Sequence, residues 1–161
     1  MSIIYIYLIF SMLAVIWFDA TRYIIPNWLV GSLFLLYPMG VWMAPTVVDW
    51  QSALLAMVLV LAIGYIIFSL GWMGAGDIKL FAACALWVGM PNLVNFLFYV
   101  ALLGGAFALV ILVLRKTLPY IPMKNLSLPR LLRPGQPLPY GLAIAVGFLL
   151  MLWMGKIPAA A

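Results

Sequence analysis

The chain has no histidine, one cysteine and only three acidic residues among its 161 positions. Cys84 stands alone in an apolar run, so neither a disulfide framework nor a Cys-ligated zinc site can be assembled, and no metal or other cofactor is expected. Charged residues of either sign make up 7% of the sequence and hydrophobic ones 69%. That balance excludes a soluble domain and suits an all-α, polytopic membrane helix bundle whose solvent is mostly lipid. A formal charge of +5 would ordinarily suggest nucleic acid, but the basic residues lie between apolar stretches, and no nucleic-acid partner is expected. Met1 to Phe18 carries no Lys or Arg, unlike the basic start of a cleavable signal, so this first span is expected to be retained.

A hydrocarbon core of about 30 Å needs roughly 20 helical residues, and on that rule six spans are predicted. They run Ile3–Phe18, Trp28–Ala44, Ser52–Leu70, Ile78–Met90, Leu93–Leu114 and Tyr140–Gly155. The fourth is short for a lipid-facing span. It must thin the bilayer, borrow flanking residues or fail to cross. Tryptophans 17, 28, 42, 50, 72, 87 and 153 fall mostly near span ends and are read as interfacial anchors.

Lys and Arg accumulate in cytoplasmic loops, and the connection 115–139 carries Arg115, Lys116, Lys124, Arg130 and Arg133. With that loop cytoplasmic and six spans, Arg22 and Lys79 fall on the same side, and of the eight basic residues only Lys156 lies outside. Both termini are then non-cytoplasmic. Asp19 and Asp77 converge at the cytoplasmic face, whereas Asp49 stands alone outside. The chain is expected to be one transmembrane domain, 1–161. Its loop 115–139 is interrupted by Pro119, Pro122, Pro129, Pro134 and Pro137, so no long helix can form there. Leu126, Leu128, Leu131 and Leu132, interleaved with Lys124, Arg130 and Arg133, fit either a segment lying on anionic headgroups or a solvated loop that sets topology.

Ionisable residues near lipid are costly, which makes the aspartates functional candidates. Asp19 could instead pair with Arg22 along a continuing helix. Around Asp77, the run Gly71-Trp72-Met73-Gly74-Ala75-Gly76-Asp77-Ile78-Lys79 places three glycines beside a carboxylate where a helix begins. Glycine opens backbone conformations closed to other residues and lets a substrate backbone approach. Such a turn at membrane depth should line a wet cavity. Its plainer reading, a turn with Asp77 as N-cap, leaves Gly74 and Lys79 unexplained. Two carboxylates within a few Å share a proton and titrate as a pair, one acid and one base. Asp77 begins a helix and Asp19 ends one, which suggests Asp77 as base and Asp19 as acid.

Gly74-Ala75-Gly76-Asp77-Ile78-Lys79-Leu80 resembles the second catalytic motif of the type IV prepilin peptidases, membrane aspartyl proteases with a Gly-x-Gly-Asp signature. Asp19 followed by Ile25-Pro26-Asn27 is similar to their first motif. Pro139-Tyr140-Gly141 is similar to the stretch opening their last span. The resemblance implies Asp19 and Asp77 as the catalytic pair, with Gly74, Gly76, Lys79, Pro26, Asn27, Pro139, Tyr140 and Gly141 in support. It also implies cleavage of the basic leader from prepilins or pseudopilins after a glycine, in a multi-pass protein of the bacterial inner membrane.

Larger members carry an extra segment with paired Cys-x-x-Cys motifs and also methylate the new N-terminus. This chain lacks that segment, so it looks like the short, peptidase-only branch serving Flp-type tight-adherence pili. Monomer and homodimer both remain open. Presenilin-like proteases share Gly-x-Gly-Asp but set the first aspartate in mid-helix. Outside this class stand an ion- or proton-coupled transporter, whose acidic sites lie near midplane, and a catalytically silent pilus-assembly protein.

Overall fold

The computed structural model describes residues 3–117, 130–133, 136 and 138–158. Within them lie six α-helices: α1 (Ile3–Arg22), α2 (Asn27–Met43), α3 (Trp50–Ser69), α4 (Ala75–Val88), α5 (Met90–Thr117) and α6 (Tyr140–Trp153), with a 3₁₀ turn at Arg130–Leu132 before α6. No strand occurs among the described residues. At 20, 20 and 28 residues, α1, α3 and α5 are long and apolar enough to cross a membrane. The shorter α2 and α6 are apolar as well.

Proline and glycine set the boundaries. Pro26, extended at φ −63° and ψ 132°, precedes α2 and leaves its carbonyl to accept from Leu29 and Val30 at 3.1 and 3.3 Å. It is an ordinary helix start. Between α4 and α5 stands Gly89 alone, at φ +72°, where a side chain would be strained. At the far end of the bundle Asp49 caps α3, its carboxylate accepting from the Ser52 amide at 3.0 Å. Asp49→Ala is therefore expected to lower stability by about 1 kcal/mol, read as a drop in Tm in detergent.

α4 occupies the middle. It packs on α2, α3, α5 and α6, and Ala82 through Val88 are all buried. At 1.5 Å per residue it is about 21 Å long. Enclosed by other helices, it has little lipid-facing surface whose height must match the bilayer. Its small residues Ala82, Ala83, Cys84 and Ala85 let neighbouring backbones come close. The expected fourth span is thus a short helix held inside the bundle, with Ile78 and Leu80 buried as well.

Two expectations change. Six of the seven tryptophans are exposed, as anchors would be, but Trp87 is 1% exposed. Its indole N–H donates to the Leu33 carbonyl at 3.0 Å, and Tyr37 meets it edge to face. Trp87 is a core tie between α4 and α2, since a buried indole needs an acceptor. Arg115, read as a topology charge, is also a clamp. Its Nε and Nη2 donate to the Leu131 carbonyl at 3.0 and 2.7 Å, and its Nη1 to that of Gln136 at 2.9 Å. Hydrogen bonds from a charged donor contribute about 1.5–3 kcal/mol, so Arg115→Gln should speed amide exchange at Leu131, Leu132, Arg133 and Gln136. Lys124, Leu126, Leu128 and the loop prolines 119, 122, 129, 134 and 137 lie outside the described residues.

Candidate active site

A cavity of about 750 Å³ opens at the end of the bundle where α1 and α3 finish and α2, α4 and α6 begin. Of the residues singled out in the sequence, Asp19, Asn27, Gly74, Gly76, Asp77, Lys79, Pro139 and Tyr140 line it. Pro26 and Gly141 stand just behind its wall. Asp49, the N-cap of α3, is at the other end of that helix and takes no part.

Helix α1 runs past the expected end at Phe18, so Asp19 sits in its last turn and Tyr23 closes it with a left-handed φ of 57°. Asp19 is 4% exposed. It does not turn to Arg22, whose guanidinium lies over the Phe18 ring at 5.3 Å. Instead the Leu142 amide, in the first turn of α6, donates to Asp19 Oδ2 at 2.9 Å. A carboxylate from one helix thus caps the exposed amides of another, 123 residues away. Any proton that Asp19 carries then sits on Oδ1.

Asp77 is half-buried in the first turn of α4, three residues beyond Gly74, which precedes the helix. It is not the N-cap. The turn Gly71–Gly74 joins α3 to α4 and lines the cavity as expected, but its glycines serve different needs. Only Gly71 takes a positive φ, +72°. The bonds from the Gly71 amide to the Phe68 carbonyl and from the Trp72 amide to that of Ile67 close α3 there. Gly74 has an ordinary φ of −73° and provides room, because a β-carbon there would stand 3.0 Å from Asp77 Oδ2. At Gly76 the same atom would meet Ile25 at 3.6 Å, an ordinary contact.

The first turn of α6 packs on Asp19, and both carboxylates line the same cavity. A β-carbon at Gly141 would fall 2.8 Å from Asp19 Oδ2 and 2.7 Å from Ile25 Cδ1, so only glycine lets α6 approach this far. Both aspartates now sit at the positive end of a helix, Asp77 on its own and Asp19 on α6. Helix polarity, the ground for telling base from acid in the sequence, no longer separates them. On the opposite wall, Lys79 Nζ donates to Asn27 Oδ1 at 3.4 Å and links the starts of α4 and α2.

The sequence pointed to Gly141 only by resemblance. The hold on Asp19 by α6 and the wedging of Ile25 between the first turns of α4 and α6 carry no local signal, since their partners lie far away in the sequence.

Residues 6–109 match the family model described as the type IV leader peptidase family, a stretch that includes both aspartates and stops short of Pro139. Comparisons with curated proteins and with solved structures give no match. A match over well over half the chain, with both aspartates inside it and turned to one cavity, makes this protein a member of the type IV leader peptidase family, integral to the membrane and built for leader proteolysis.

Proposed function

We propose that the chain is an aspartic endopeptidase that removes the basic leader from prepilins or pseudopilins at the cytoplasmic face of a bacterial inner membrane. The observation that carries this reading is the pair Asp19 and Asp77 lining one cavity, with Asp19 held by the first turn of α6. The pair shares a single proton. The ionised carboxylate takes a proton from a water molecule as that water attacks the scissile carbonyl. The protonated one donates to the carbonyl oxygen and then gives its proton to the departing amine. With Oδ2 of Asp19 held by Leu142, its Oδ1 is the oxygen turned to the reaction.

The cytoplasmic assignment rests on charge, with every Lys and Arg but Lys156 on the side of the cavity when both termini are outside. The short, peptidase-only branch of Flp-type pili is favoured by the lack of paired Cys-x-x-Cys motifs, Cys84 being the only cysteine. The test is co-expression with a substrate carrying a short basic leader, a glycine and an apolar helix, followed by mass spectrometry. The expected product is a shortened chain cut after the glycine, with an unmethylated N-terminus. Proton-coupled uptake without any cleavage would turn the reading toward a transporter.

A further inference from the structure

The aspartate cavity adjoins the apolar body of the bundle. Two of its lining residues, Met73 and Tyr140, also line a second groove of about 310 Å³ between α4, α5 and α6. Phe81, Leu97, Ala101, Gly105 and Ala143 form its other walls. From Leu97 to Gly105 it follows α5 for about 12 Å, two helical turns. Tyr140 opens α6 at the aspartate cavity and Ala143 lies about one turn further along, so the groove leads from the carboxylates toward the middle of the membrane. Nothing lies within 4 Å of where a β-carbon on Gly105 would be.

We infer that this groove receives the apolar segment that follows the scissile bond, bound as a helix against α5 and α6; the inference rests on the peptidase reading above. A peptide stretched across Asp19 and Asp77 has two ends of unlike chemistry. The hydrated leader belongs in the main cavity, where Asn27 and Lys79 stand. The apolar end must leave over a wall continuous with the site and free of charge, and the passage at Met73 and Tyr140 satisfies both conditions. Small residues on α5 and α6 allow a further helix to come within backbone contact, the main source of helix association where lipid is as apolar as leucine. A smaller cleft of about 140 Å³ on the α3 side of α4 also meets Met73, but it does not include Tyr140. On α2, which packs on α1 and α4, Leu35 is 81% exposed and lines neither this groove nor the aspartate cavity.

The test uses the full chain in liposomes with a synthetic substrate made of a short basic leader, a glycine and one apolar helix. A photoreactive residue replaces Ala101, Gly105 or Leu35 in an Asp77→Asn background, which holds the substrate uncleaved. Labelling of the substrate's helix from positions 101 and 105, but not from 35, is expected. In the otherwise unaltered enzyme, Gly105→Leu fills the groove and should raise KM about tenfold, with kcat little changed. Equal labelling from position 35, or an unchanged KM in Gly105→Leu while the wild type cleaves the substrate, would overturn the groove and leave the peptidase reading standing. Failure of the wild type to cleave would overturn both.

Discussion

Asp77→Asn and Asp19→Asn are each expected to reduce leader cleavage by at least about 10³-fold, because an amide can neither share the pair's proton nor take one from water. The substitutions preserve shape. At position 19 the side-chain carbonyl can still accept from the Leu142 amide, which holds Oδ2 at 2.9 Å, so α6 should stay in place. The new NH₂ group then occupies the reacting position of Oδ1. The double variant should be scarcely slower than either single one, since two residues acting as a unit are not additive. Asp49→Asn serves as the control and should process substrate at the wild-type rate. The readout is the fraction of prepilin converted over time in co-expressing cells, and persistent processing by either diad variant would refute the catalytic pair.

Gly141→Ala carries the second large effect. The added methyl would stand 2.8 Å from Asp19 Oδ2 and 2.7 Å from Ile25 Cδ1, so α6 must retreat or the carboxylate must turn away. A displacement of about 1 Å in a positioned catalytic group can cost about 10²-fold in rate, and a loss of that size in kcat is expected here. Gly74→Ala, with 3.0 Å to Asp77 Oδ2, should be milder because a carboxylate can rotate by a few tenths of an ångström. Gly76→Ala, with 3.6 Å to Ile25, should be milder still. Kinetic constants for the three variants, with Tm measured alongside to separate folding from catalysis, check the order. The reverse order would mean that the motif glycines serve backbone motion rather than room.

The helices were legible because apolar runs bounded by Gly, Pro and charge leave the backbone little choice. All six expected spans have counterparts, their ends differing by a few residues. At Asp19 the difference matters, since α1 continues to Arg22 and carries the carboxylate inside its last turn. Burial was less legible. Hydropathy cannot tell a helix facing lipid from one facing other helices, so neither the enclosure of α4 nor the role of Trp87 as a core donor could be foreseen. The residues that line the cavity were legible as candidates through the company they keep in short motifs. Their geometry was not, because the contacts that set it join α1 to α6 and α4 to α6, and local composition is silent about pairs so distant. The glycines show the same limit, for their presence was plain but the need each one meets depends on what lies opposite.

The bond from Leu142 to Asp19 also bears on the order in which the protein comes into being. Translation makes Asp19 early and the amide that holds it 123 residues later. Until α6 is in place, Asp19 lacks that partner, even if the helices before it are already seated. A nascent or truncated chain would thus be inert, and proteolytic competence would arrive only with the last helix.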